Sequence, residues 1–204
     1  MTLLPALGAA TPAPPPSGGP APGVPPGLVL LARAEWPAAA DDTLPDIPGF
    51  IVSSFSPLVV EVAQRCLRRY FGAPPADPVR AERTGVVLAS GTGDFGTSVA
   101  IARAVDEGRR VPPLLFYQSN PNAVVGYLTA RWGLAGPVIC TIPAGDVLAD
   151  ACDCAALLIE DGDADAVLII VADQARSEGE RDRGEALLAG PPDWHRADGL
   201  PNTS

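Results

Sequence analysis

The sequence has 204 residues, 47% of them hydrophobic and 19% charged, with 24 prolines and 21 glycines, which allows one medium-sized core with irregular flanks and argues against a two-domain enzyme. Fourteen Lys and Arg against 24 Asp and Glu leave a net charge of -10, so polyanionic partners such as nucleic acid or an anionic membrane surface are repelled overall. The only histidine is His195, which excludes for this chain alone any mechanism that needs two imidazoles.

Residues 1–27 hold nine prolines and five glycines, a composition that resists helix and sheet and reads as an extended or disordered arm. Its start, MTLLPALGAATPAPPP, lacks the basic region of a secretory signal, and no run approaches the ~18 apolar residues of a membrane span, so a cytoplasmic protein is expected. GLVLLARAEW (27–36) reads as a first strand and IVSSF (51–55) as a loop or short strand. Ser56-Pro57 then reads as a helix cap with proline at the first helical position. In that helix Val59, Val62, Ala63, Cys66, Leu67 and Tyr70 share one face, opposite Glu61, Arg65, Arg68 and Arg69, and Gly72 ends it.

After a PPADP loop, GVVLAS (85–90) has the continuous apolar character of a strand buried on both faces. A glycine turn, GTGDFG (91–96), opens a helix expected to be capped by Thr97 or Ser98 and closed by Gly108. A further loop leads to Pro121 and a helix over 122–132, then to a strand VICTI (138–142). PAGD (143–146) turns into a helix with Val147, Ala151, Ala155, Leu158 and Ile159 on one face, followed by an apolar strand AVLIIV (166–171). Beyond Arg176 the charged run RSEGERDRGE predicts a polar tail over 176–204, leaving 28–175 as the folded domain. Alternating β and α elements with apolar strands predict an α/β sheet covered on both faces.

Three local patterns point to chemistry that their context does not support. Gly91, Gly93 and Gly96 make a GxGxxG between strand and helix, as a dinucleotide fold would use, yet the stretch where its acidic ribose ligand belongs reads VPPLLFYQSNPN. A tight turn and close helix-strand packing account for the glycines, and no cofactor is expected. Cys66, Cys140, Cys152 and Cys154 show no CxxC spacing, and residues 152 and 154 point to different sides of a helix, so neither a disulfide framework nor a metal site is expected. The acidic EDGDAD (160–165) lacks the spacing of a calcium loop and reads as a polar turn.

The segments GVVLASGTGDFGTS, LLFYQSNPNAVVGYLTARWGLAGP and GPVICTIPAGDVLADACDCAALLIEDGDADAVLIIVADQA together resemble, over about residues 85–175, the N-terminal half of the β-ketoacyl synthases of the thiolase superfamily. The resemblance implies half of a thiolase-like fold, a mixed sheet flanked by helices. It also implies a nucleophile elbow, where a cysteine at a helix N-terminus is activated by the macrodipole and backbone N–H groups. In the ungapped match that position, eight residues after Pro137, is Gly145, with Asp146 beside it as a helix cap. The family's two catalytic histidines belong to a C-terminal half, and His195 lies outside the matched region.

The resemblance is nearest to a short, half-length version, found in systems making aryl polyenes and related highly reduced chains, of the inactive relatives known as chain length factors, which pair with an active ketosynthase in type II polyketide systems. It implies no catalytic residue here, a heterodimer with a full-length ketosynthase, and acyl chains delivered by acyl carrier protein. By the same resemblance the dimer interface or acyl tunnel is formed by the loop Phe116, Tyr117, Gln118, Ser119, Asn120, Pro121 and Asn122 and by the strand Val138, Ile139, Cys140, Thr141, Ile142 and Pro143. Core packing is the alternative for Phe116 and Tyr117. Two other readings are a small acyl-transfer enzyme using Asp146 with Ser119 or Thr141, and a dinucleotide-binding oxidoreductase subunit.

Overall fold

Among the described residues, the apolar runs 85–89 and 166–171 form strands and the stripe over 58–67 is the buried face of a helix. The computed structural model describes residue 24, residues 27–177 and residues 179–194. The elements run β1 (Val29–Trp36), α1 (Phe55–Phe71), α2 (Pro78–Glu82), β2 (Thr84–Ala89), α3 (Phe95–Asp106), α4 (Pro113–Gln118), α5 (Pro121–Trp132), β3 (Val138–Thr141), α6 (Val147–Glu160), β4 (Ala166–Asp173) and β5 (Arg183–Gly190). The expected arm over 1–27 falls almost wholly outside the described residues, as does His195.

The strands form one mixed sheet of order β1-β5-β4-β2-β3. β2 runs parallel to both β3 and β4, while β5 is antiparallel to β4 and to β1. Both faces are covered, which the unbroken apolar character of β2 and β4 requires. On one face Val86, Leu88, Leu168, Ile170 and Leu188 pack with α1 and α5. On the other, Val87, Ala89, Val167, Ile169 and Leu187 pack with Ala151, Cys152 and Ala155 of α6. The alternation is the period of two of a strand, with each parity given to its own core.

α1 is the most buried helix, with Leu58, Val59, Val62, Ala63, Cys66 and Leu67 fully enclosed; each such aliphatic side chain contributes about 1.5–3 kcal/mol by leaving water. It begins two residues earlier than its Ser-Pro suggests, with Ser54 as N-cap and Pro57 already inside the first turn.

The polar tail expected from residue 176 instead contains β5, a central strand with Ala186, Leu188 and Ala189 inaccessible to solvent. Its apolar residues close the sheet between β1 and β4. Trp194 packs against the α1-side core beyond it. The stretch before Asn120 holds a helix, α4, where a loop was expected: Pro112 stands at its N-cap and Pro113 at its first position, the one place in a helix where proline is favoured. The PPADP loop likewise opens a short helix, α2, capped by Asp77.

Candidate functional site

β3 leads through residues 142–146 into α6, forming the strand-turn-helix elbow. Asp146 is the N-cap of α6, its Oδ1 accepting from the N–H groups of Leu148 and Ala149, each at 3.1 Å. Gly145 lies exposed at the turn, and a Cβ built there would meet only Asp150 Oδ2, at 3.8 Å. A side chain would therefore fit, so packing does not force glycine at this position. Ser119 Oγ donates to the Phe116 carbonyl at 2.8 Å, and Asp146 is engaged with its own helix, so they do not form the hydrogen-bonded pair that an acyl-transfer enzyme would need.

β3 is one of the two edge strands of the sheet, paired with β2 alone. Val138 is 43% exposed, Ile142 just after the strand is 68% exposed, and Ile139, Cys140 and Thr141 are half-buried. The free side of the strand is thus a row of unpaired backbone groups flanked by apolar side chains. Burial raises the pKa of the Cys140 thiol, which donates to Asn122 Oδ1 at 3.2 Å and is a poor nucleophile at neutral pH.

Phe116 and Tyr117 are 59% and 61% exposed on α4, so they do not belong to the core. Gln118, marked by resemblance as an interface or tunnel residue, is instead fully buried. Its amide accepts from Ile51 N–H at 3.0 Å and donates to the Ile51 carbonyl at 2.7 Å and to Thr97 Oγ1 at 2.6 Å. Asn120 caps α5 by accepting from Asn122 N–H at 3.0 Å, with Pro121 at the first helical position.

Ser119, Pro121, Cys140, Thr141 and Ile142 come together around a cavity of about 280 Å³, closed on the inner side by Phe55, Leu88 and the glycine turn. Val138, Ile139 and Pro143 lie along the strand outside it. The hydroxyls of Ser90, Thr92, Ser98 and Ser119 around the cavity all donate to protein acceptors, which leaves its lining with few free donors.

Behind the cavity lies a buried polar cluster that the sequence patterns did not reveal. Asp94, not Thr97 or Ser98, is the N-cap of α3; Oδ1 accepts from Thr97 N–H at 3.0 Å and Oδ2 from Thr97 Oγ1 at 2.7 Å. Ser53 Oγ donates to Asp94 Oδ1 and accepts from Gln174 Nε2 at 3.1 Å. An aspartate at the end of the glycine turn, directly before the helix, is the local signal that would have found the cap.

The same contacts decide the glycine motif. Gly91 N–H donates to Asp173, Gly93 N–H to Ser90 Oγ and Gly96 N–H to Gln174 Oε1. The N–H groups of the turn are thus bonded within the protein. Gly93 has φ +62, and a Cβ at Gly96 would lie 2.9 Å from Ser53 Oγ, which explains two of the three glycines.

Cys66 and Cys152 are buried, and burial pushes their thiols up to about 12 and about 11 respectively. All four cysteines are free, and among the described residues no group of three or more His, Cys, Asp or Glu could hold a metal ion. No described helix is long and apolar enough to cross a membrane.

Residues 39–179 match a model of the β-ketoacyl synthase N-terminal domain. No curated protein matches the sequence. Among solved structures, a chain of the ketosynthase ApeO in complex with its chain length factor ApeC from Xenorhabdus doucetiae superposes with a TM-score of 0.61 at 20% identity, covering 81% of this chain and 79% of that one. A chain of the ishigamide ketosynthase/chain length factor gives 0.58 at 17% identity, covering 82% and 63%. A chain of AntDE:AntF, a type II polyketide acyl-carrier protein in complex with its ketosynthase, gives 0.64 at 16% identity, covering 85% and 65%. The chain thus spans less than two thirds of the latter two, and at these identities the likeness establishes the fold.

Proposed function

Because the chain belongs to the β-ketoacyl synthase N-terminal domain family, we propose that it is a noncatalytic, chain-length-factor-like subunit that pairs with an active ketosynthase and helps shape its acyl tunnel. What supports the reading is an unpaired apolar edge strand leading into an elbow at which Gly145 stands where the resemblance puts the nucleophile. An acyl-enzyme requires a nucleophile whose pKa is lowered at the helix N-terminus. Gly145 has none, and the thiol of Cys140, five positions earlier, sits back in the strand with its pKa raised by burial.

An exposed apolar edge is an aggregation hazard in a free chain and a template for strand addition in a complex. Antiparallel pairing of Val138–Ile142 with the corresponding strand of a ketosynthase would satisfy its backbone groups. The same docking would close the cavity beside Ser119, Cys140 and Ile142. Its lining joins apolar groups to internally bonded hydroxyls and to the Asp94 carboxylate, itself held by Ser53 and Thr97, which suits the end of an acyl chain delivered by acyl carrier protein. Bulk added there would shorten the product, because each extra unit meets a close-packed wall.

Co-expression with a ketosynthase that retains its cysteine and both histidines tests the reading. Gel filtration with light scattering is expected to give a species with the summed mass of the two chains. A soluble monomer that ignores every such ketosynthase encoded beside it would refute the proposal.

A further inference from the structure

Between β1 and α1 the chain exposes two adjacent apolar side chains, Ile51 at 45% and Val52 at 70%. Val52 has φ +73, a conformation that β-branched residues avoid. Ser53 N–H donates to the Ile51 carbonyl across it at 2.8 Å, closing a tight three-residue turn. Such strain persists only where the surroundings over-determine it. Here Gln118 grips both backbone polar groups of Ile51, and Ser53 is fixed by Asp94 and Gln174.

A strained turn that holds two apolar side chains in water brings nothing to the isolated molecule. In a complex it presents them already ordered, so less conformational freedom is lost on docking. Gln118 directly follows Phe116 and Tyr117, so one buried amide fixes both the turn and the end of the helix that carries the exposed aromatics.

Interface size points the same way. A stable complex buries about 800 Å² per partner, supplied by roughly 20–30 residues on each side. The strand β3, of 4 residues, and the adjoining 116–122 segment fall short of that, so neighbouring surface must also be covered. The Ile51-Val52 turn is apolar, exposed and tied to that segment.

We propose that Ile51 and Val52 form, with Phe116 and Tyr117, one docking surface for the ketosynthase, and that Gln118 is the positioning residue that holds its two parts together. This extends the heterodimer reading and rests on it. The partner is expected to meet the surface with an apolar patch of its own.

The test uses the full chain and a ketosynthase that retains its cysteine and both histidines, with affinity measured by interferometry and stability by thermal melting. V52D is expected to weaken binding at least about tenfold without lowering the melting temperature. V52G, which relieves the left-handed strain, is expected to raise the melting temperature and still weaken binding; a turn with a merely structural role would leave binding unchanged. If the wild type binds, V138D/I142D does not, and both Val52 variants bind like the wild type, this inference is wrong and the heterodimer reading stands. If the wild type binds no ketosynthase, the heterodimer reading falls and this inference with it.

Discussion

Gln118 shows how much one buried amide can organise. Its three hydrogen bonds join α4 to α3 and to the 51–53 turn, and replacing it with leucine would leave the N–H of Ile51 without its partner and the Ile51 carbonyl with the Ser53 N–H alone. Each buried polar group left unsatisfied costs about 1–3 kcal/mol. Q118L is therefore expected to lower unfolding free energy by about 1–3 kcal/mol in urea titrations, with weaker ketosynthase binding as a second effect. The thiols give an independent check at this scale. Cys66 and Cys152 are enclosed with raised pKa values, so an alkylating reagent at pH 7.5 should modify Cys154 well before either. Cys140, at the free edge, should be labelled more slowly once a ketosynthase is bound.

At the scale of elements, the clearest sequence signals were those in which a single physical cause dominates. The apolar runs of β2 and β4, the amphipathic stripe of α1 and the Asp146 cap of α6 all stand where their patterns put them. β5 was hidden because RGEALLAG follows a charged stretch and offers too short an apolar run to announce a central strand. Only its distant pairing with β1 and β4 makes it one. α4 was hidden because two prolines read as breakers when they in fact start the helix. The candidate site was partly legible for the same reasons. The elbow and edge strand follow from local pattern, whereas the burial of Gln118 and the cluster around Asp94 depend on residues far apart in the chain. The edge itself yields a prediction. V138D/I142D, which places charges along the free side of β3, is expected to abolish co-elution with a ketosynthase while leaving the circular dichroism spectrum of the lone chain unchanged.

For the whole molecule, a net charge of -10 makes acid stability a matter of which carboxylates are held ionised. Hydrogen bonding to Arg65 lowers Asp42 to about 2 from its ordinary 3.8, tying the β1-α1 loop to α1. The folded state binds this proton less tightly than the unfolded chain, so the contribution is present above pH 3.8 and is lost as pH falls toward 2. D42N should flatten that part of the acid limb. Glu185 has the opposite sign: burial raises its pKa, so its contribution is fullest below the ordinary glutamate value and declines as pH rises through the folded one. E185Q is expected to raise the melting temperature at neutral pH, leaving Arg33 its contact with Glu35 at 3.0 Å.

The central claim is that reaction chemistry in the complex belongs to the other subunit. Intact-mass spectrometry after incubation with an acyl thioester and malonyl-loaded carrier protein tests it most directly, with this chain and its ketosynthase measured separately and together. The account predicts no acyl adduct on this chain under any condition, with the adduct confined to the ketosynthase cysteine and elongated product formed only when a ketosynthase is present. An acyl adduct on the isolated chain, accompanied by elongated product, would contradict it.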